Sequence, residues 1–427
     1  MLFIHFLVLL TSIFFILCFK RDFFRLSVSS FYFVSLIAFS YIGIPFLYDK
    51  IIHHAVLMGV VNTEILELMY IYSWFSVLFF ALGYILSLTR LSIFEFNSGM
   101  SRGGLYLTPK ITLYCAYILM FLCFCVTLLY LSKVPSIALF AGHGAEAMSA
   151  RSDMTNAFSG KYHWYKAFFR DLALFTFLFI LTISCLEKKK VSKFTILILF
   201  AFVSFTHLMT GEKSTFVWFL ISIFLVNLQV YHQGKVKVKY LIMLFVIVFG
   251  LLYISYIFFM DVDGDIIEIL IGRAFVGQVM PAYYYLDYFK EGNYLLGSTF
   301  PSYGGILPFE RVMITSFLAD KVFPNSPIAM TLPSVYWAEM HANFGPIGVI
   351  GSSIFIGFIL GSIDKSLAKV RLSSLRISLV AWCSIHFMTL SGGALSDFFY
   401  DIFLMLILFA SFLLNLSLKF VWKRNER

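Results

Sequence analysis

A carboxylate and an imidazole stand two residues apart in the segment EMHANFGPIG, at Glu339 and His341. Together they could remove a proton from a sugar hydroxyl, which is general acid–base catalysis. The alternative is structural: Glu339 and Asn343 would cap a following helix whose glycines, from Gly345 onward, permit close helix contacts. The sequence leaves both interpretations open, and they are compatible.

Cationic residues recur in the segments assigned below to the outer side of a membrane. They are Arg151, Lys161, Lys166, Arg170, Lys213, Arg273 and Arg311. Arginine binds diphosphate oxygens through two parallel hydrogen bonds, so the set favours an anionic ligand. Ordinary ion pairs are the alternative for three of them, because Asp153, Asp171 and Glu310 lie close in sequence. Arg170 and Lys213 border apolar runs, where a charge is by default functional.

Aromatic residues interleave with these cations, and Tyr283, Tyr284 and Tyr285 form an uninterrupted group. Rings with a polar atom suit the faces of sugars, but tyrosines also form the belt at a membrane interface. Because this group falls inside a loop rather than at a helix end, we interpret it as a sugar contact.

Several classes of protein are disfavoured by the residue spacing. The segment GEKS at 211–214 lacks the upstream glycine of a phosphate-binding loop, which argues against a nucleotide-driven activity. The pair His53 and His54 has no further histidine or cysteine at ligand spacing, so we predict neither a metal nor another cofactor. The net charge of +9 resides mainly in short connectors between apolar runs, which indicates membrane topology rather than nucleic-acid binding.

The elements that must position these residues are membrane helices. Of the 427 residues, 60% are apolar and 13% are charged, and apolar runs of about 20 residues recur along the chain. Helices follow because backbone groups in lipid must find partners within their own segment. We predict an all-α, polytopic transmembrane bundle with about eleven spans. The predicted spans are 2–18, 28–47, 68–88, 111–131, 167–186, 194–210, 216–232, 240–260, 345–363, 377–392 and 401–420.

The charges of the connectors predict the orientation. With the N-terminus outside and the C-terminus in the cytoplasm, most basic residues and few acidic ones fall in the inner connectors. The chain then forms a single integral membrane domain, 1–427. Two long outer segments remain, 132–166 and 261–344, and we expect both to cover the active site and the second to contain short helices.

The chain resembles the bacterial O-antigen polymerases, the Wzy-type polymerases of oligosaccharide repeat units. The resemblance rests on the number of spans and on the segments RSDMTNAFSGKYHWY, TGEKS, GRAFVGQ, GSTFPSYGGILP and EMHANFGPIG. The spaced Arg and Gly pair that members of this family carry in two outer loops is absent after Arg151, Arg273 and Arg311.

The resemblance implies an inverting, metal-independent glycosyltransferase in the bacterial inner membrane, with a periplasmic active site. Its substrates would be undecaprenyl-diphosphate-linked oligosaccharides, its surroundings membrane lipids, and a chain-length-regulating co-polymerase is a candidate partner. Arg151, Arg170, Lys213, Arg273 and Arg311 are the candidates for diphosphate binding.

Two alternatives stay open at the level of sequence. An O-antigen ligase, which transfers the glycan to lipid A core, would share the donor and the architecture. A non-enzymatic flippase or transporter of lipid-linked oligosaccharides would instead place cations deep within several spans and have short outer loops. The long outer segments disfavour the second alternative.

Overall fold

The computed structural model describes residues 1–89, 108–134, 137, 146, 149–150, 153–154, 162–187, 190–237, 239, 242–243, 246, 249–250, 253, 266–302, 310–324, 331–369 and 373–425. Every regular element in this part of the chain is a helix, as predicted.

The α-helices are α1 Leu2–Phe19, α2 Val28–Leu36, α3 Gly43–Tyr48, α4 His53–Leu57, α5 Thr63–Thr89, α6 Lys110–Leu131, α7 Tyr162–Lys166, α8 Ala173–Leu186, α9 Lys193–Leu208, α10 Lys213–His232, α11 Ile266–Ile271, α12 Ala282–Tyr288, α13 Ile314–Val322, α14 Tyr336–Lys369, α15 Ser374–Met388 and α16 Ile402–Asn425. Wider π-helical turns occupy Ile37–Tyr41, Ala167–Leu172 and Gly272–Val276, and 3-10 turns occupy Thr389–Ser391 and Leu395–Phe398.

Eight helical stretches among the described residues are long and apolar enough to cross a membrane. They are Leu2–Phe19, Val28–Tyr48, Thr63–Thr89, Lys110–Leu131, Tyr162–Leu186, Ser214–His232, Tyr336–Lys369 and Leu395–Ser417. Each overlaps a predicted span, which confirms a multi-pass membrane protein. The helix predicted at 345–363 begins earlier, at Tyr336, so that Glu339 and His341 lie within it.

The other three predicted spans have different outcomes. The prediction 194–210 corresponds to α9, an apolar helix of 16 residues. The prediction 377–392 corresponds to α15, which has 15 residues and continues as a 3-10 turn, because the chain bends at residues 389–393. The prediction 240–260 lies largely outside the described residues.

The chain divides into two compact units of interleaved sequence. Unit 1 consists of Met1–Phe96, Gly264–Ala368 and His386–Tyr400, and unit 2 of Asn97–Asp263, Lys369–Ile385 and Asp401–Arg427. The long predicted outer segment 261–344 therefore belongs almost entirely to unit 1. Its described part contains α11, α12 and α13, which confirms the prediction of short helices there.

Unit 1 is held together by close contacts between α5 and α14. A Cβ atom at Gly357 would collide with the carbonyl oxygen of Phe80, and one at Gly83 would collide with that of Ile354. Such glycines let two backbones approach closely, as is common between membrane helices. At the end of α14 the Asp364 carboxylate accepts hydrogen bonds from the N–H groups of Val28 and Ser29, at 2.9 and 3.2 Å. These bonds satisfy two otherwise unpaired donors of α2.

In unit 2, the π-helical turn Ala167–Leu172 packs against α6, α8 and α16. Polar pairs join distant parts of the same unit, since the hydroxyls of Thr108 and Ser374 lie 3.0 Å apart and those of Ser417 and Thr112 also lie 3.0 Å apart. The predicted outer segment 132–166 is mostly outside the described residues. Of its described residues, Ala150, Met154 and Tyr162 are buried in one apolar cluster.

The glycines of α14 provide a test of the α5–α14 contact. We expect Gly357→Ala to lower the free energy of unfolding by about 1–3 kcal/mol, because the new methyl group must push two backbones apart. Gly351→Ala is the matched control, since a Cβ there meets no atom within 4 Å and its effect should stay within about 1 kcal/mol. Thermal unfolding in detergent measures both, and equal melting temperatures would contradict the contact.

Candidate functional site

Helix α14 is interrupted nine residues after its start. Gly345 has φ of 64° and ψ of −152°, a left-handed conformation that glycine adopts without strain, and Pro346 follows it. A Cβ atom at Gly345 would lie 2.7 Å from Cζ of Tyr294, so a side chain there would have to displace the end of the Tyr294 ring. The sequence Gly345-Pro346 thus separates a short N-terminal part, 336–344, from the long remainder of the helix.

The interruption frees backbone carbonyl groups, and a loop of the same unit binds two of them. We call residues 292–299 the strap. The N–H of Leu295 donates to the carbonyl of Ala342 at 2.9 Å, and the N–H of Leu296 donates to that of Asn343 at 3.0 Å. A helix end buried in apolar surroundings needs such partners, so these bonds fix the strap against the N-terminal part of α14.

The side chain of Asn343 strengthens the same junction. It is fully buried, its Oδ1 accepts from the N–H of Gly297 at 3.0 Å, and its Nδ2 donates to Oγ1 of Thr299 at 2.8 Å and to the carbonyl of Glu339 at 3.0 Å. Asn343 therefore binds the strap and its own short segment, and the predicted capping of the helix that follows Gly345 is wrong, because none of these three bonds reaches that helix.

Glu339 is buried beside this junction, with 1% of its surface exposed. Its Oε2 accepts from the N–H of Ser396 at 3.1 Å, whereas its Oε1 has no hydrogen-bond partner. The hydroxyls of Ser396 and Thr299 lie close to the carboxylate. A buried carboxylate with an unpaired oxygen is unusual in proteins, and it marks a position that a ligand or a water molecule can complete.

Arg311 joins the same network from the other side of Thr299. Its Nε donates to the carbonyl of Thr299 and its Nη2 to Oδ1 of Asp397, each at 3.1 Å. The ion-pair partner is Asp397, 86 positions away, whereas the sequence pointed to the adjacent Glu310. Asp397 is exposed and Arg311 is half-buried, so the guanidinium lies near the surface of unit 1.

Burial raises the pKa of Tyr285, and the nearby carboxylates of Glu339 and Asp397 raise it further. This tyrosine therefore borders the network and is neutral at physiological pH. Its hydroxyl donates to the carbonyl of Leu332 at 2.9 Å.

The other two predicted sugar contacts are also buried. The hydroxyl of Tyr283 accepts from the N–H of Asn62 at 3.1 Å, and that of Tyr284 donates to the carbonyl of Met58 at 2.7 Å. All three tyrosine hydroxyls thus bind backbone groups and position α12 within unit 1. Contact of these rings with sugar stays a prediction.

His341 lies on the same short segment as Glu339, but no described contact joins the two side chains. Its ring packs against Tyr72 and Tyr294. Positions two apart on an α-helix point about 200° away from each other, so the helix separates the two predicted catalytic groups. Their shared role in one proton transfer is an expectation from sequence that the geometry does not favour.

Of the remaining predicted diphosphate ligands, one belongs to unit 1, two belong to unit 2 and one lies outside the described residues. Arg273 is in unit 1, exposed on the turn Gly272–Val276. Arg170 is in unit 2, where its Nε lies 3.1 Å from Oδ2 of Asp171 and its guanidinium lies over the ring of Phe403. Lys213 is the first residue of α10, and Arg151 lies outside the described residues. The local ion pair predicted for Arg170 is confirmed.

Sequence reasoning missed Thr299, Ser396 and Asp397. Thr299 is part of the segment GSTFPSYGGILP, so its general region was singled out, but nothing marked the threonine itself. Ser396 and Asp397 fall in a stretch that the spans 377–392 and 401–420 left as a short turn. The acidic residue within that short turn is the one signal that the sequence offers.

Comparison of the chain with family models, with curated proteins and with solved structures gave no match.

Asn343 provides a test of the junction between the strap and α14. We expect Asn343→Ala to destabilise the protein by about 2–4 kcal/mol, because it leaves the N–H of Gly297 without its partner in a buried site. Hydrogen exchange should accelerate at the amides of Leu295, Leu296 and Gly297.

The matched control is Asn227→Ala in α10, which removes one bond to the carbonyl of Ile223 and should have a much smaller effect. Unchanged exchange in the strap of Asn343→Ala would show that the side chain does not hold it.

Proposed function

We propose that the protein is a membrane-embedded glycosyltransferase that polymerises undecaprenyl-diphosphate-linked oligosaccharide repeat units into O-antigen or a related surface polysaccharide. The reaction would take place on the periplasmic side of the bacterial inner membrane. The proposal rests on the resemblance of the sequence segments to Wzy-type polymerases and on the site in unit 1.

One observation carries it: a cation and an incompletely paired buried carboxylate belong to one hydrogen-bonded network. Arg311 binds the backbone of Thr299, and the Thr299 side chain lies between Asn343 and the carboxylate of Glu339. Group transfer from a lipid diphosphate needs these two functions, a cation for the leaving group and a base for the attacking hydroxyl.

In the proposed reaction, the unpaired Oε1 of Glu339 accepts the proton of the acceptor hydroxyl. The oxygen of that hydroxyl attacks the anomeric carbon of the donor sugar. The bond from this carbon to the diphosphate breaks, and the leaving group departs with the electron pair. A guanidinium has five N–H donors, and within the described part of the chain Arg311 uses one for Thr299 and one for Asp397, so that others can stabilise the charge that develops on the diphosphate. Attack from the opposite face inverts the anomeric centre.

Arg273 is the second candidate of unit 1 for the diphosphate, because it is an exposed arginine on the same outer segment. Diphosphate binding stays a prediction from sequence for Arg170 and Lys213, which belong to unit 2, and for Arg151, which lies outside the described residues. The polymerase would act on membrane-dissolved lipid carriers, with a chain-length regulator as a further candidate partner.

Two variants test the roles of Glu339 and Arg311. We expect Glu339→Gln to reduce transfer between purified lipid-linked repeat units by at least about 100-fold, because the amide cannot accept a proton. Arg311→Lys should reduce it by about 10- to 100-fold, because the charge persists while the fork that binds the diphosphate is lost.

The matched controls are Glu291→Gln and Lys290→Gln, which change exposed charges of the same outer segment. Both should retain normal activity. Full activity of Glu339→Gln in correctly folded protein would remove this residue as the base.

The polysaccharide of a deletion strain separates the polymerase from the ligase. We expect the deletion to leave lipid A core bearing a single repeat unit, since ligation continues while polymerisation stops. Core without any repeat unit would instead identify a ligase, and the band pattern on a gel distinguishes the two. Complementation with Glu339→Gln should reproduce the phenotype of the deletion.

A further inference from the structure

His341 is the one buried histidine of the described residues whose ring nitrogens both lack a partner. Its side chain is 3% exposed, and neither Nδ1 nor Nε2 makes a hydrogen bond. The buried His5 differs, because Trp74 Nε1 donates to its Nδ1 at 2.9 Å and its Nε2 lies 3.2 Å from the carbonyl of Tyr41. Buried polar groups are nearly always paired, so the imidazole of His341 can bind a partner that the described residues do not supply.

Two tyrosines bound the position of that partner. The ring centroid of Tyr72, on α5, lies 5.1 Å from that of His341, and the centroid of Tyr294, in the strap, lies 5.6 Å from it. The Tyr294 ring stands nearly perpendicular to the imidazole, at 82°. Aromatic faces next to a neutral hydrogen-bonding group are the surroundings that a sugar ring prefers, with C–H groups on the rings and a hydroxyl on the nitrogen.

Tyr294 covers His341 from a segment with unusual backbone. Gly292, Leu296 and Gly297 all have positive φ, at 84°, 50° and 94°, and they flank Tyr294 on both sides. The Tyr294 ring also occupies the space next to Gly345, where a side chain would have to displace the end of the ring. Displacement of this ring would remove one of the two aromatic rings that pack against the imidazole.

We propose that His341, Tyr72 and Tyr294 form a binding subsite for a sugar of the acceptor oligosaccharide, with Tyr294 as a lid and the imidazole as the hydrogen-bond partner of a sugar hydroxyl. The subsite lies on the side of the segment 336–344 opposite to Glu339, whose carboxylate contacts Ser396 and Thr299. In this arrangement His341 binds one sugar of the acceptor, and the hydroxyl that Glu339 deprotonates belongs to another part of the same oligosaccharide. The inference rests on the proposed function, because that function supplies the oligosaccharide as the ligand.

Chemical modification of histidine by diethyl pyrocarbonate, read at each residue by mass spectrometry, tests the subsite in the full-length protein in detergent. We expect slow modification of His341 in the wild type and a rate at least tenfold higher in Tyr294→Ala, with the rate at His5 unchanged. The probe is the repeat-unit oligosaccharide released by mild acid, which cleaves the sugar–diphosphate bond, from the lipid-linked repeat unit of the producing cells. It should slow the modification of His341 in Tyr294→Ala at least fivefold.

An unchanged rate at His341 in Tyr294→Ala would overturn the lid, and the absence of protection by the oligosaccharide would overturn the subsite. Should Tyr294→Ala fail to fold, His341→Gln replaces it: we expect the KM for the acceptor to rise at least tenfold while kcat stays within threefold. A loss confined to kcat would contradict a binding role.

The same measurements separate this inference from the proposed base. Protection of His341 by the oligosaccharide together with full activity of Glu339→Gln would leave the subsite standing and remove Glu339. An inactive Glu339→Gln together with no protection at His341 would support Glu339 as the base and remove the subsite.

Discussion

A helix that is interrupted within an apolar environment exposes backbone carbonyl groups that need new partners, and this constraint organises unit 1. The interruption at Gly345 frees the carbonyls of Ala342 and Asn343, and the N–H groups of Leu295 and Leu296 bind them. Because Ala342 and Asn343 are buried, departure of the strap would leave their carbonyl groups unpaired. A loop that is distant in sequence thereby becomes a fixed part of the site.

Two polar environments follow from this single junction. On one side of the segment 336–344, Thr299 connects Arg311 to the surroundings of Glu339. On the other side, the strap brings Tyr294 over His341. The glycine contacts bring the long part of α14 close to α5, and the short part carries both groups. We interpret this division as a separation of proton transfer, at Glu339, from sugar binding, at His341.

The unpaired atoms are as informative as the bonds. The strap pairs the carbonyl groups that the interruption of α14 frees. Among the described residues, one oxygen of Glu339 and both ring nitrogens of His341 nevertheless lack partners. In a soluble protein, water could complete such groups at the surface, but both side chains are buried. A membrane enzyme that accepts hydroxyl-rich substrates needs groups in this state, because the substrate then provides the missing hydrogen bonds.

The sequence by itself determined the helices and the approximate positions of most spans. Length and apolarity suffice for the spans because each helix in lipid satisfies its own backbone. Residues 336–344 are helical as well, but their polar side chains kept them out of the predicted span 345–363. Only the tertiary structure decided which distant residues meet Glu339 and that Asp397, rather than Glu310, pairs with Arg311. Loop residues lack a periodic pattern, so their partners depend on how the chain folds back, which spacing does not encode.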